Sequence, residues 1–205
     1  MAIVINGSGT VTGISVGGLP DGIVDAGTLG TDSVTADALE VSAITAGDLP
    51  AGSVLQVVST TKTDTFSHNA TAIVDITGMT ATITPVATSS KILIMISLSL
   101  GSSGGCANQT IQLFRDSTQI ALGDASSTWI RGMFEPQQRH TSEYEGWTES
   151  NQFLDSPSTT SATTYKLTLD SRSASKTFYL NMNGGAGGTD DTRAISTITL
   201  MEIGA

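Results

Sequence analysis

The chain has 205 residues and a formal net charge of −10, with a sequence pI near 4.3. An acidic surface is repelled by phosphate backbones and anionic lipid headgroups, so this charge disfavours nucleic-acid and membrane partners. Cys106 is the one cysteine, which excludes an internal disulfide framework and a cysteine-based metal cluster. The longest apolar run, Ile92 to Ile96, is too short to span a bilayer, and no signal peptide is expected.

Residues 1–13 predict a small hairpin or an extended peptide that adds to the edge of a partner's sheet. Ile3-Val4-Ile5 and Thr10-Val11-Thr12 flank the turn-forming Asn6-Gly7-Ser8-Gly9. The overlapping Gly13-Ile14-Ser15-Val16-Gly17 matches the G-x-S-x-G pattern of serine hydrolases. That motif requires a strand before it, a helix after it, and acid and histidine partners on a large α/β sheet; here the serine lies in the N-cap column of a short repeat, in a segment with no such sheet. We therefore expect no catalytic serine.

A ten-residue unit repeats four times over residues 14–53. One column of the repeat is β-branched and a second column is leucine; they contain Ile14, Val24, Val34 and Ile44, and Leu19, Leu29, Leu39 and Leu49. A serine, aspartate or threonine follows each branched residue and is a good helix N-cap. The branched residue and the leucine then take the N′ and N4 positions of a hydrophobic staple. Each unit is predicted to form one capped helical turn.

These turns predict an oligomeric stalk. A single helical turn is costly to nucleate and buries almost nothing, so it cannot persist alone. Short units at a fixed period are typical of quasi-linear arrays. Other copies of the chain must then cover the apolar columns, with the four leucines facing inward among sister subunits. The alternative is a flexible Gly/Ala/Thr linker whose spacing is accidental.

From Val54 onward the pattern changes to the alternation typical of strands. Strands are predicted at 54–58, 72–76, 79–84, 91–100, 109–115, 118–122, 147–154, 163–169, 176–182 and 193–203. The run 91–100 is expected to be buried on both faces at its start and to alternate later. Asp116-Ser117 is expected to close a hairpin. The predicted fold class is all-β: a jelly-roll-like β-sandwich head over residues 54–205, preceded by the extended repeat.

Several stretches resemble one family. The opening from Ile5 to Gly22 is similar to the start of tail-fibre-like virion structural proteins of tailed bacteriophages, marine ones especially. The segments 54–58, 116–125, 154–157 and 195–204 resemble the C-terminal domain of the same proteins. This resemblance implies a parallel homotrimer with a virion-attachment segment (1–13), a repeat stalk (14–53) and a distal β-rich head (54–205). It leaves open whether the protein sits on the tail or the capsid.

The segment from Trp129 to Trp147 concentrates aromatic and basic side chains around Pro136, which predicts a long surface loop. Such side chains stack on sugars and hydrogen-bond anionic groups. The candidate receptor-binding residues are Trp129, Arg131, Phe134, Arg139, His140, Tyr144 and Trp147. The alternative is that this loop packs against a neighbouring subunit.

Other clusters carry weaker hypotheses. Glu143, Glu145 and Glu149 could supply the carboxylate pair of a glycosidase, and His140 beside them could form a metal corner. No second feature supports either, so we expect an acidic loop, no metal, no cofactor and no enzymatic activity. The expected function is that of a trimeric virion fibre whose head adheres to the host surface, with a cell-surface glycan as the candidate partner. A capsid decoration without a receptor and, less favoured, a virion-bound polysaccharide depolymerase are the alternatives.

Overall fold

The computed structural model describes residues 44–103, 109–135, 146–172, 174, 176–184 and 192–205. The chain divides into two units, Met1–Thr45 and Ala46–Ala205. The predicted attachment segment, 1–13, and the first three repeat units lie outside the described residues. Within the described ranges, no helix has the length and apolar character needed to cross a membrane.

The described part of the chain is all-β, as predicted. A 3-10 turn over Ala46–Asp48 precedes ten strands. The strands are β1 (Val54–Lys62), β2 (Phe66–His68), β3 (Ala72–Ile83), β4 (Lys91–Ser102), β5 (Gln109–Arg115), β6 (Thr118–Ile120), β7 (Gly146–Asp155), β8 (Thr163–Ser171), β9 (Phe178–Leu180) and β10 (Ser196–Ile203).

The strands form two antiparallel sheets. Sheet A has the order β1-β10-β4-β9-β2, and β7 pairs with the other edge of β4. Because β2 continues the line of β1, and β9 that of β10, sheet A is four positions wide. Sheet B has the order β3-β8-β5-β6. The chain alternates between the sheets in the order found in jelly-roll sandwiches.

One hydrophobic core fills the space between the sheets. Strand alternation places one side chain in two against it, as the burial of every second residue in β4 and β10 shows. Its fully buried members include Ile76, Met79 and Ile83 of β3, Ile92, Ile94, Leu98 and Leu100 of β4, Ile111 and Leu113 of β5, Tyr165, Leu167 and Leu169 of β8, and Ile198 and Leu200 of β10. The core confirms the predicted β-sandwich.

Three differences from the predicted strands matter most for the fold. The predicted strands 72–76 and 79–84 are one strand, because Gly78 adopts a φ of 84° and absorbs a register shift between Asp75 and Thr80. A buried Lys62 side chain packs against Gly78 at this irregularity. The prediction for β4 was wrong about where the strand is buried on both faces. Strand β4 alternates from its first residue and is buried on both faces at its end, Leu100–Ser102, and not at its start.

The third difference is at 176–182, where only Phe178–Leu180 form a strand. Asn181 follows with a φ of 63° and turns the chain away. Its side-chain amide donates to the carbonyl oxygens of Lys62 and Asp64, each at 2.8 Å, and its Oδ1 accepts from Ser196 Oγ. This fully buried asparagine thus ties the break between β1 and β2 to the break between β9 and β10.

Candidate functional site

Trp129 is the most exposed of the described large apolar side chains. It follows β6 on a turn closed by its own N–H, which donates to the Ser126 carbonyl at 3.1 Å. The tryptophan side chain is 78% exposed, and Arg131 close by is also exposed. The Arg131 carbonyl accepts a hydrogen bond from Gln119 Nε2 at 2.7 Å. Both side chains therefore project from a backbone that the sandwich holds in place.

The segment after Arg131 is fixed along β5. Met133 donates its N–H to the Ile111 carbonyl at 2.9 Å, and Ile111 donates back to the Phe134 carbonyl at 2.9 Å. Gly132 approaches so closely that a Cβ there would lie 2.2 Å from the Thr110 side chain. Only glycine fits at this position, so the presentation of Trp129 depends on it.

The remaining predicted receptor-binding residues do not all share this surface. Phe134 and Trp147 are partly buried and pack against the hydrophobic core. Trp147 belongs to β7, where it lies opposite Leu100 of β4. Arg139, His140 and Tyr144 lie outside the described residues. Of the seven candidates, the structure thus shows Trp129 and Arg131 as exposed neighbours.

Carboxylate chemistry finds little support among the described residues. Glu149 is half-buried on β7, while Glu143, Glu145 and His140 are outside the described ranges. Nowhere in the ranges that the structure describes do three or more His, Cys, Asp or Glu side chains come together as a metal site would require. The carboxylate-pair and metal-corner hypotheses therefore stay predictions.

Sequence reasoning missed a buried polar cluster that joins the two sheets. Arg115 Nη1 lies 2.9 Å from both carboxylate oxygens of Asp155, and Tyr165 donates its hydroxyl to the same carboxylate at 2.7 Å. Burial, together with the neighbouring carboxylate, raises the pKa of Tyr165 above its ordinary range. Arg115 and Tyr165 both donate hydrogen bonds to the Asp155 carboxylate, so the cluster holds β5, β7 and β8 together. The sequence signal that could have predicted this cluster is Asp155, which takes an inward position in the alternation of β7.

Sequence reasoning also missed the outward surface of sheet A. We call this surface the sheet A face; it consists of Val57, Ser59 and Thr61 of β1, Thr197, Thr199 and Met201 of β10, Leu93, Met95, Ser97 and Ser99 of β4, and Thr148, Ser150, Gln152 and Leu154 of β7. None of these side chains is ionisable. A shallow depression of about 420 Å³ lies over Met95, Ser150 and Thr199.

The fourth repeat unit is described from Ile44. The 3-10 turn over Ala46–Asp48 lies where the repeat predicts a helical turn, and Leu49 donates its N–H to the Ala46 carbonyl at 3.4 Å. Ser53 donates through both its N–H and its hydroxyl to the Pro50 carbonyl. Ile44 is 57% exposed and Leu49 is 41% exposed. The isolated chain thus leaves much of both apolar columns of this unit open to water.

No family model matches the chain, and no curated protein matches it.

Proposed function

We propose that this chain is a homotrimeric fibre protein of a phage virion, which attaches through residues 1–13 and presents its β-sandwich as an adhesive head. The observation that carries the proposal is the repeat, whose described unit leaves Ile44 and Leu49 exposed in the single chain. Apolar side chains at a fixed period without cover require partner chains. The family resemblance of residues 5–22 and of the head segments supports the same conclusion.

Magnitudes favour assembly. Full burial of one leucine contributes about 2 kcal/mol, so four leucine layers contribute on the order of 8 kcal/mol per chain. The β-branched column adds a comparable amount. Association costs roughly 4–15 kcal/mol in lost freedom of motion. One layer could not offset that cost, whereas four layers in three parallel chains can.

Adhesion is assigned to the surface around Trp129 and Arg131. The exposed indole of Trp129 can supply a stacking face for a sugar ring, and the guanidinium of Arg131, two residues along the chain, can supply donors for hydroxyl or carboxylate oxygens. Three copies on one threefold axis would strengthen a weak single contact by about 10²–10⁴. The alternative of a capsid decoration without a receptor gives no reason for a tryptophan that is 78% exposed.

Assembly is tested by the mass of the full chain in sedimentation equilibrium. We expect three copies per particle, and Leu49→Ser is expected to weaken the assembly. The control is Val86→Ser, since Val86 is another exposed apolar residue, 57% exposed, that lies outside the repeat. A monomeric parent protein at micromolar concentration would contradict the proposal.

Adhesion is tested by binding of the labelled full chain to an array of bacterial envelope glycans. Trp129→Ala combined with Arg131→Ala is expected to lower binding more than tenfold, whereas Val86→Ala is expected to leave it unchanged. Unchanged binding by the double variant would remove the receptor role from this surface and favour the capsid decoration.

A further inference from the structure

The sheet A face is a broad uncharged surface on a chain whose formal net charge is −10. We infer that a second copy of this chain covers it, so that neighbouring heads pack through sheet A. This inference rests on the proposed homotrimer and adds the surface through which the heads meet.

Most charged side chains of sheet A point inward, away from this face. Lys62, Asp155 and Glu202 lie at inward positions and are 3%, 7% and 0% exposed. Lys91 borders the face at one end, where its ammonium hydrogen-bonds Ser156. Depletion of charge marks the centre of protein interfaces. A second copy carries the same negative charge, so close self-contact requires a surface without ionised groups.

An apolar row crosses the whole width of the face. Strand register aligns Val57 with Met201, Met201 with Leu93, and Leu93 with Leu154. Val57 is 53% exposed and Leu154 is 50% exposed, and Met95 in the next row is 39% exposed. Scattered single hydrophobic residues are ordinary on a surface, whereas a contiguous row indicates a contact.

The face is continuous with the end of the repeat. Gly204 at the end of β10 donates its N–H to the Ser53 carbonyl at 2.9 Å, and Gly52 donates to the Gly204 carbonyl at 2.7 Å. Copies joined through their repeats would therefore enter their heads beside the Val57–Met201 pair. This continuity favours a second copy over an unrelated partner.

The size of the face explains why it needs the repeat. Four strands spaced about 4.8 Å apart and some 20 Å of strand length give on the order of 400 Å². A standard interface buries about 800 Å² on each partner. The face alone would hold two heads only weakly, and the repeat supplies the high local concentration that makes the contact persist.

Two threonines provide a matched test. Thr199 of β10 on the sheet A face pairs its hydroxyl with that of Ser59 at 2.8 Å. Thr164 of β8 on the outer surface of sheet B pairs with Thr82 at 2.9 Å. Both are half-buried in inner strands of their sheets. Thr199→Lys and Thr164→Lys therefore make the same change on opposite surfaces, and lysine adds no negative charge that would repel copies generally.

The readout is the dissociation constant of the full-length assembly from sedimentation equilibrium, with circular dichroism to compare folding. We expect Thr199→Lys to raise the dissociation constant at least tenfold and Thr164→Lys to leave it within twofold of the parent. If both variants match the parent, or both weaken it equally, the sheet A face is not the contact. If the parent is monomeric, both this inference and the proposed trimer fail. If the parent is trimeric and the two variants behave alike, only this inference fails.

Discussion

The two outer surfaces of the sandwich handle charge in opposite ways. Apart from the inward Arg115, the charged side chains of sheet B lie on its outer surface and pair within the chain: Lys166 lies 2.9 Å from Asp75, and Arg172 lies 2.6 Å from Asp170. The Lys166 ammonium also lies over the Phe114 ring. Sheet A turns Lys62, Asp155 and Glu202 inward, and the strands of its outer surface carry no charged side chain apart from Lys91 at one end.

The difference shows which surface the chain completes by itself. On sheet B, Gln112 and Thr168 are buried although they face outward, and Gln112 reaches the Arg131 carbonyl of the segment that runs along β5. No comparable segment lies over the sheet A face among the described residues. Among the described residues, the chain therefore packs a segment of its own on the outer surface of sheet B and none on that of sheet A.

The largest effect is expected where the two sheets are locked together. Arg115→Met leaves the buried carboxylate of Asp155 without its ion pair and should lower the free energy of unfolding by about 3 kcal/mol. Lys166→Met on the outer surface of sheet B should cost less than about 1 kcal/mol, because that ion pair is solvent-exposed. Urea unfolding at fixed chain concentration measures both. Equal losses would show that the buried cluster is not what joins the sheets.

Next in size is the asparagine that keeps sheet A continuous. Asn181→Gly retains the positive φ and removes the side-chain hydrogen bonds, so it should cost about 2 kcal/mol. Ser158 also has a positive φ, 54°, but is exposed, so Ser158→Gly should be neutral or slightly stabilising. Thermal unfolding of the two glycine variants separates hydrogen bonding from backbone strain. A stable Asn181→Gly protein would mean that the strand breaks align without it.

A smaller, pH-dependent effect is expected from Glu202 beneath the sheet A face. Burial alone would raise its pKa, but hydrogen bonds from Gln56 and from the backbone N–H groups of Val86 and Ala87 outweigh burial and lower the pKa below 4.5. The folded chain then takes up this proton less readily than the unfolded chain does. Ionised Glu202 therefore contributes its full stabilisation to the free energy of unfolding above pH 4.5, and this stabilisation is lost as the pH falls through the folded-state pKa.

Acid titration of stability tests this directly. Glu202→Gln should flatten the decline of unfolding free energy below pH 4.5. An unchanged slope in Glu202→Gln would place the acid sensitivity elsewhere.

The smallest effect on stability is expected at the most exposed side chain. Trp129→Ala should change the unfolding free energy by less than about 0.5 kcal/mol, because the indole is 78% exposed. Phe134→Ala, which removes a ring packed on the core, should cost about 2–3 kcal/mol. Chemical denaturation distinguishes them. A large loss in Trp129→Ala would show that the indole is a packing residue and not a presented one.

Alternation in the sequence predicted the strands well, because one side of each strand must face the core. It failed at Gly78 and Asn181, where positive φ values decide whether a strand continues or ends. Composition alone could not separate Trp129 from Trp147, since only the pairing of Trp147 with Leu100 places that ring against the core.

The apolar row of the sheet A face likewise could not be predicted from the sequence. Ser97 and Ser99 alternate with buried residues in β4, and that pattern was readable. The alignment of Val57, Met201, Leu93 and Leu154 depends on three separate strand registers, which no local pattern specifies.

Backbone hydrogen bonds join Gly52 to Gly204 and Gly204 to Ser53, so the polypeptide enters and leaves the sandwich side by side at the same end. A fluorescent protein or affinity tag fused after Ala205 would lie at that end of the sandwich and would leave the opposite end, with Ser102, Gln109 and Gly146, accessible. Because its two ends are adjacent, the head can be inserted into a surface loop of an unrelated carrier protein without forcing the ends of that loop apart.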